Sequence, residues 1–165
     1  EREIWIKRKA CFGCPIHCGH LAVIRGNSKY SGSVVEGVEY ETTALLGADC
    51  GIDDLEAVTY ANMLCDKLGL DTLSTGGTIA WAMECYERGL ITDEETSGLE
   101  LKFGNNEAMI KMIEAIAYRK ELGNILAEGV KKASEKIGGK EIAMHVKGLE
   151  LPGWAIRAAP SMGLA

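Results

Sequence analysis

Three cysteines near the start of the chain have the type and spacing of metal ligands. Cys11, Cys14 and Cys18 lie within the run CFGCPIHC. Close clusters of cysteine bind a metal through their thiolates or, in secreted chains, form disulfides. An iron–sulfur cube needs four ligands, which are commonly all cysteine. No fourth cysteine with matching spacing follows, so the identity of the last ligand is open at this point.

Iron–sulfur and zinc centres both fit this loop. In an iron–sulfur site the three thiolates bind one cluster, and Pro15 stiffens the loop by fixing its backbone φ. In a zinc site the same thiolates take His17 or His20 as the fourth ligand of a tetrahedron. A purely structural role is the third alternative, but core packing alone rarely places three cysteines so close together. The spacing favours iron–sulfur, then zinc, then the structural role.

Two aspartates flank a predicted sharp turn at residues 66–71, in the sequence DKLGLD. A helix is predicted to stop at Gly69, between Asp66 and Asp71. Paired carboxylates beside exposed backbone groups suit a ligand edge rich in N–H donors, such as that of a pterin. The alternative is a surface aspartate at a helix end followed by an N-cap aspartate, and spacing alone favours it.

Three glutamates form a second acidic group. Glu36, Glu39 and Glu41 are separated by two residues or fewer and precede the apolar run 44–47. A carboxylate beside an apolar surface is a candidate general base. The alternative is a solvated acidic turn, which the sequence alone favours.

Helical signals predict the elements that hold these residues. Apolar residues recur at helical spacing along much of the chain, and glycines or capping residues mark the predicted ends. Helices are predicted at 55–68 behind Asp53 as cap, at 78–88 after a glycine-containing turn at 71–78, in a short segment opened by Thr92 and Glu95, from Asn105 or Asn106 to about Gly123, and at 124–137. Weak alternation predicts strands at 4–7, 21–25 and 142–146. The predicted fold is mainly α, a multihelical domain with a few short strands near its ends.

Composition limits the function classes. A chain of 165 residues, 47% of them apolar, forms one globular domain that buries about 70% of its unfolded surface. The net charge of −6, with both signs interspersed, argues against a nucleic-acid partner. No apolar stretch approaches the roughly 18 residues of a membrane span. The single cysteines Cys50, Cys65 and Cys85 suit reduced thiols in a cytoplasmic protein.

The start of the chain bears on its completeness. The segment EREIWIKRKA has no apolar core followed by a cleavage site, so it is not a signal peptide. It also lacks an initiator Met. We therefore expect the chain to begin inside a longer protein.

Four segments carry a family resemblance over nearly the whole chain. In order they are CFGCPIHC, EGVEYETTALLGADCGI, DLEAVTYANMLCDKLGLDTLSTGGTIAWAMECYERG and MHVKGLELPG. They resemble the aldehyde ferredoxin oxidoreductase family of tungsten- or molybdenum-pterin enzymes. The resemblance implies that residues 1–147 form the first helical (middle) domain of the family. It also implies that residues 148–165 connect to a last domain that is missing from this chain.

The resemblance assigns roles to the thiols and to one glutamate. Cys11, Cys14 and Cys18 match the first three ligands of a 4Fe–4S cluster, whose fourth cysteine lies in the family's last domain. Glu41 matches the glutamate near the metal in aldehyde-oxidising members. The loop at 20–35 is longer than in those members, which leaves the other two glutamates as alternatives.

The turn at 66–71 matches the family's pterin-binding pattern Asp-x-x-Gly-Leu-Asp/Cys in full. By this resemblance Asp66 accepts hydrogen bonds from the pterin, Gly69 and Leu70 shape the turn, and Asp71 completes the pattern. The cofactors implied are therefore a 4Fe–4S cluster and a tungsten (or molybdenum) bis-pterin.

The implied activity is oxidation of an aldehyde to an acid, with electrons passing through the cluster to ferredoxin. Other members of the family reduce aromatic thioesters or act on hydroxy acids. The implied partners are ferredoxin, the aldehyde and the missing N-terminal and C-terminal domains. We expect the chain alone to be inactive and to hold a cluster poorly, because its ligand set is incomplete. A stand-alone iron–sulfur electron carrier and a zinc-stabilised module are the alternatives.

Overall fold

The computed structural model describes residues 4–163, and most of its regular structure is helical. The helices are α1 Tyr40–Thr42, α2 Leu55–Leu68, α3 Thr72–Glu87, α4 Asn106–Ala117, α5 Leu122–Leu126, α6 Val130–Ile137 and α7 Pro160–Gly163, with a π-helix at Thr43–Asp49 and 3₁₀ turns at Lys140–Ile142 and Ile156–Ala158. The strands are β1 Trp5–Lys9, β2 Gly19–Val23, β3 Val34–Glu36, β4 His145–Val146 and β5 Leu149–Glu150. The predicted mainly α class is confirmed. None of the helices in this described range is long and apolar enough to cross a membrane.

Strands β1, β2 and β3 form an antiparallel sheet with β2 in the centre. Ala22 of β2 and Val35 of β3 are buried together with Val38, and this small cluster packs against Leu55 and Met63 of α2. Burial of apolar surface is the main favourable term in such a contact, so it fixes the sheet against α2. The connection from β1 to β2, which contains CFGCPIHC, projects from this anchored sheet.

Helix α3 is the central helix of the domain. Its side chains are buried on nearly every side, including Ile79 and Met83. They belong to one core with buried residues of α2 and α4, among them Cys65, Met109 and Ile113. A helix that is apolar all round is typical of a core position. The elements that carry the candidate site therefore rest on a well-packed helix.

The predicted boundaries of α2 and α3 need two corrections. The N-cap of α2 is Asp54, whose carboxylate accepts the N–H groups of Glu56 and Ala57 at 3.0 and 3.2 Å; the predicted cap Asp53 is wrong by one residue. Helix α3 begins directly after Asp71, so the predicted turn at 71–78 is helical. Gly76 in this stretch serves close packing instead, because a Cβ there would lie 2.7 Å from the backbone of the π-helix.

The later helices also differ from their predicted bounds. Glu95 accepts the Thr92 N–H at 2.8 Å as the capping box requires, but only turns follow and the predicted short helix is absent. Helix α4 ends before Gly123, and the chain reverses through Arg119 with φ at 52°. The helix predicted at 124–137 is divided into α5 and α6 at Gly129, whose φ of 82° lies outside the helical region.

The short strands are the least well predicted elements. Strands β1 and β2 are found close to their predicted positions, with shifted bounds. Of the strand predicted at 142–146, residue 142 ends a 3₁₀ turn, residues 143–144 are irregular, and the two-residue β4 remains, paired with β5. Neither β3 nor the π-helix was predicted. A three-residue strand gives too little alternation, and a π-helix has no distinct apolar period in the sequence.

Candidate cofactor and catalytic site

The three candidate cluster ligands lie on the exposed β1–β2 connection. All three are free thiols; Cys11 and Cys18 are exposed and Cys14 is half-buried. The Cys14 N–H donates to the Cys11 carbonyl at 3.0 Å, and the left-handed backbone of Gly13 and His17 turns the chain between the cysteines. Within residues 4–163, no three His, Cys, Asp or Glu side chains are gathered closely enough to hold a metal ion. The thiols are thus accessible, but they do not converge.

The alternative zinc ligands do not converge with these thiols either. The His20 ring stacks on the indole of Trp5, with 3.9 Å between ring centroids and 17° between planes. His20 is therefore held on the sheet by an aromatic contact of the kind that stabilises cross-strand pairs. His17 lies in the exposed part of the loop.

The turn at 66–71 joins α2 to α3. Gly69 has a left-handed backbone (φ 71°), and the Leu70 N–H returns to the Cys65 carbonyl at 2.9 Å, as at many helix C-termini. Asp66 accepts a hydrogen bond from the Asn62 amide at 3.1 Å, and partial burial raises the pKa of its carboxyl. Asp71 caps α3 by accepting the Ser74 N–H at 2.7 Å. Both carboxylates thus flank one tight turn, as the spacing predicts.

The structure separates the three glutamates. Glu36 lies at the exposed edge of β3 and forms an ion pair with Lys9. Glu39 is exposed at the start of α1. Glu41 is half-buried, and its Oε2 accepts the backbone N–H of Gly153 at 2.8 Å. Of these three carboxylates, Glu41 is the one held by a hydrogen bond to the C-terminal segment.

A cleft of about 930 Å³, which was not predicted from the sequence, is lined by Tyr40 and Gly153, the chain neighbour and the hydrogen-bond partner of Glu41; Glu41 itself is not among its lining residues. The π-helix, α3 and the C-terminal segment form its walls. Its lining residues are Tyr40, Thr43, Ala44, Leu45, Ala48, Asp49, Gly77, Ala80, Trp81, Glu84, Phe103, Glu141, Ile142, Met144, Glu150, Leu151, Pro152, Gly153 and Trp154. Clefts of this size with a mainly apolar lining and a few polar groups are typical of small-molecule sites. The aromatic residues in the segments WAMECYERG and LPGW are the sequence feature that could have indicated this cleft.

The π-helix at Thr43–Asp49 shapes one wall of this cleft. It buries Leu45 and Leu46 against the core and leaves Asp49 exposed in the cleft lining. Desolvation raises the pKa of the Asp49 carboxyl. Wide π turns interrupt regular helices frequently at functional sites.

One hydrogen bond links the Glu41 region to the turn at 66–71. Thr42, which is buried in α1, shares a hydrogen bond of 2.8 Å between its Oγ1 and Oγ1 of Thr72. Thr72 is the first residue of α3 and directly follows its cap, Asp71. The general-base candidate and the candidate pterin turn therefore belong to one connected frame.

Comparison with known families decides what this frame belongs to. The family model described as "Aldehyde ferredoxin oxidoreductase, domains 2 & 3" matches residues 1–165. This chain belongs to the aldehyde ferredoxin oxidoreductase family. The resemblance found in the sequence is thereby confirmed.

Relatives within the family differ in their named activities. The chain is 47% identical over 160 residues to the tungsten-containing aldehyde ferredoxin oxidoreductase of Thermococcus kodakarensis, covering 96% of this chain and 26% of that relative. The corresponding Pyrococcus furiosus enzyme is 46% identical over 160 residues. A second P. furiosus protein, the aliphatic sulfonate oxidoreductase WOR-like subunit, is 36% identical over 165 residues. The chain spans about a quarter (26%) of the length of these relatives.

A solved structure gives the same fold. The active-site complex BamBC of benzoyl coenzyme A reductase, with 1,5-dienoyl-CoA, superposes with a TM-score of 0.75 at 25% identity. The match covers 92% of this chain and 22% of that one. The arrangement of helices described above is therefore shared with this protein of known structure.

Proposed function

We propose that this chain forms part of the active centre of a tungsten- or molybdenum-pterin oxidoreductase that converts aldehydes to carboxylic acids. The observation that carries the proposal is the connected frame around Glu41. The Glu41 carboxylate is hydrogen-bonded to Gly153, which lines a cleft of about 930 Å³, and α1 is hydrogen-bonded to the first residue of α3 through Thr42 and Thr72. Relatives at 46–47% identity are tungsten-containing aldehyde ferredoxin oxidoreductases.

The metal–pterin cofactor supplies oxygen transfer and accepts two electrons when it is bound. The residues of this chain bind and orient it. Asp66 accepts hydrogen bonds from N–H groups at the pterin edge, and the left-handed Gly69 with Leu70 shapes the turn that contacts it. Asp71 fixes the start of α3 next to this edge. These acceptors fit a donor-rich ligand, because the turn presents two carboxylates within six residues.

Glu41 acts as the general base in this proposal. In this proposal the half-buried Glu41 carboxylate would take up one of the two protons released when an aldehyde and water become a carboxylic acid, and the bound metal–pterin cofactor would accept the two electrons. The aromatic side chains of Trp81 and Trp154 would contact the apolar part of the aldehyde. Replacement of such a base lowers kcat by about 10²–10⁴-fold.

Cys11, Cys14 and Cys18 hold a 4Fe–4S cluster that passes electrons to ferredoxin. Three free thiols on one accessible loop fit the soft ligand set of such a cluster. Among the described residues these thiols do not converge; in this proposal the fourth ligand comes from another part of a longer polypeptide. We propose that residues 1–147 are the first helical domain and that 148–165 lead into the last one. The chain alone is then inactive.

Metal content of the full-length protein tests the cluster assignment. Cells grown with tungstate should yield protein with stoichiometric tungsten and iron, and Cys11→Ser should abolish the visible absorbance of thiolate-bound iron. Cys85→Ser is the matched control, because that thiol is fully buried away from the loop. Zinc in place of iron and tungsten would reject the assignment in favour of a zinc-stabilised module.

Activity of the same preparations tests the base. Glu41→Gln should retain tungsten and iron but lose aldehyde oxidation. Glu39→Gln should retain the two metals and the aldehyde oxidation activity. Full activity in Glu41→Gln would overturn its assignment as the base.

A different substrate is the second candidate function. It is favoured by the structural match to benzoyl coenzyme A reductase and by the relative named aliphatic sulfonate oxidoreductase. Parallel turnover assays with an aldehyde, an aromatic thioester and an alkyl sulfonate distinguish the candidates. Turnover of the aldehyde alone supports the first.

A further inference from the structure

The segment 149–154, here called the strap, crosses the cleft wall next to α1. We propose that Gly153 in the strap is a positioning residue for Glu41, holding its carboxylate in one orientation through the backbone N–H. The inference rests on the proposed function, in which Glu41 is the general base. It adds a residue that acts through Glu41 rather than on the substrate.

The side chains of Tyr40 and Glu41, which are consecutive in α1, both form hydrogen bonds with the backbone of Gly153. The Gly153 N–H donates to Glu41 Oε2 at 2.8 Å. The Tyr40 hydroxyl donates to the Gly153 carbonyl at 3.3 Å. Hydrogen bonds to a charged acceptor are stronger than those between neutral groups. This bond occupies Oε2 and restricts the rotamers of Glu41, which leaves Oε1 as the oxygen that takes up a proton.

Only glycine fits at this position, and the reason is space. A Cβ on Gly153 would lie 2.3 Å from Ala44 Cβ and 2.9 Å from Leu45 Cδ2. Its φ lies outside the left-handed region that favours glycine. Because Gly153 has no side chain, the strap can approach the π-helix closely. This approach brings the Gly153 N–H within hydrogen-bonding distance of Glu41.

The other end of the strap is anchored in the core. Glu150 is 9% exposed, and its Oε1 accepts the Val130 N–H at 2.7 Å and the Thr78 hydroxyl at 3.3 Å. Val130 is the first residue of α6, so the carboxylate also lies at the positive end of that helix. Pro152 limits the backbone freedom between the two anchors. The Gly153 N–H is thus presented from a fixed position.

A double-variant cycle in the full-length, tungsten-loaded enzyme tests the proposal. Gly153→Ala should lower kcat for aldehyde oxidation by about 10²-fold, with little change in KM, because a catalytic group displaced by about 1 Å loses that much. Adding Ala44→Gly removes the closer of the two atoms that the new Cβ meets, and the other, Leu45 Cδ2, is the end of a flexible side chain, so the double variant should recover most of kcat. Ala44→Gly alone supplies the reference kcat against which the double variant is compared, because Ala44 itself lines the cleft.

Hydrogen–deuterium exchange supplies a readout that is independent of activity. In the same full-length protein, Gly153→Ala should speed exchange in the peptide that covers 149–154, and the double variant should slow it again. Glu41→Ala should speed this exchange because it removes the acceptor. Glu41→Gln keeps an acceptor oxygen and should retain protection.

The outcomes separate this inference from the proposed function. If Glu41→Gln is fully active while Gly153→Ala still loosens the strap, the assignment of Glu41 as the base fails, whereas the contact that holds its carboxylate stands. If Gly153→Ala lowers kcat but Ala44→Gly does not restore it, the positioning role is overturned. It is equally overturned if Glu41→Ala leaves exchange at 149–154 unchanged, a test that stands even when Gly153→Ala does not fold.

Discussion

Neighbouring glycines in α3 offer a matched test of how the helix packs against the π-helix. Gly76 and Gly77 are adjacent and both helical, yet their surroundings differ. A Cβ on Gly76 would lie 2.7 Å from both the carbonyl carbon and the Cβ of Leu45, and 2.9 Å from the Leu46 backbone nitrogen. A Cβ on Gly77 would come no closer than 3.4 Å, to the side chain of Glu150.

The expected effects on the free energy of unfolding have opposite signs. Alanine in a helix interior is favoured over glycine by about 0.5–1 kcal/mol, and this gain applies to both positions. At Gly76 the new methyl meets backbone on the π-helix, and overpacking of this kind costs about 1–3 kcal/mol. Because backbone cannot rotate away, the upper part of that range applies. Gly76→Ala should therefore destabilise by about 2 kcal/mol, and Gly77→Ala should stabilise by about 0.5–1 kcal/mol.

Urea denaturation of the 165-residue chain, followed by circular dichroism, measures both values. The urea midpoints of the two variants should move in opposite directions. The slope of the unfolding free energy against urea concentration should not change, since neither variant alters the surface exposed on unfolding. A Gly76→Ala variant as stable as Gly77→Ala would refute the close contact between α3 and the π-helix.

Three further predictions concern caps and titrating groups. Asp54→Ala should lower stability by about 1–2 kcal/mol in urea denaturation because it removes the α2 cap, whereas Asp53→Ala should have little effect. Burial raises the pKa of the Cys65 thiol to about 12 and of the Cys85 thiol to about 11. Thiols in the unfolded chain ionise near pH 8.5. The stability that comes from keeping these two thiols protonated is therefore complete below that pH and is lost as the pH rises toward 11–12. In urea denaturation at alkaline pH, the Cys65→Ala and Cys85→Ala variants should lose less stability with rising pH than the wild type. Partial burial also raises the pKa of Asp66. Lowering the pH through the range in which carboxyl groups titrate should therefore stabilise the wild type relative to Asp66→Asn, as measured by thermal unfolding.

Much of the helical framework was predictable because local signals and tertiary packing agree. The stripe of apolar residues along α2 and the stop at Gly69 gave its extent correctly. Asn105 does cap α4 through its side chain, as one of the two predicted alternatives. In these segments capping, period and burial all favour the same structure.

Where prediction failed, long-range packing outweighed the local signal. Two consecutive glycines in α3 favour a turn in isolation, but Gly76 allows the π-helix to approach. The capping box at Thr92 forms and still does not nucleate a helix, since few apolar contacts follow it. The cleft could not be predicted, because its walls come from segments about 100 residues apart, as the contact of Glu41 with Gly153 shows.

The candidate residues were predictable by type and motif, but their mutual arrangement was not. The sequence named Glu41 among three glutamates, and the hydrogen bond that distinguishes it comes from a residue 112 positions away. The roles of the thiols and of the turn at 66–71 stay predictions. In the proposed function their convergence around cofactors requires a longer polypeptide, and the chain spans 26% of the length of its relative from Thermococcus kodakarensis.

The paired hydroxyls of Thr42 and Thr72 have a consequence for thermal motion. Each belongs to a different helix, and each is a direct neighbour of a residue with a proposed role, Glu41 in one case and Asp71 in the other. Fluctuations that displace the start of α3 therefore carry α1 with them. The separation between the Glu41 carboxylate and the turn at 66–71 should therefore vary less than the displacement of either group alone.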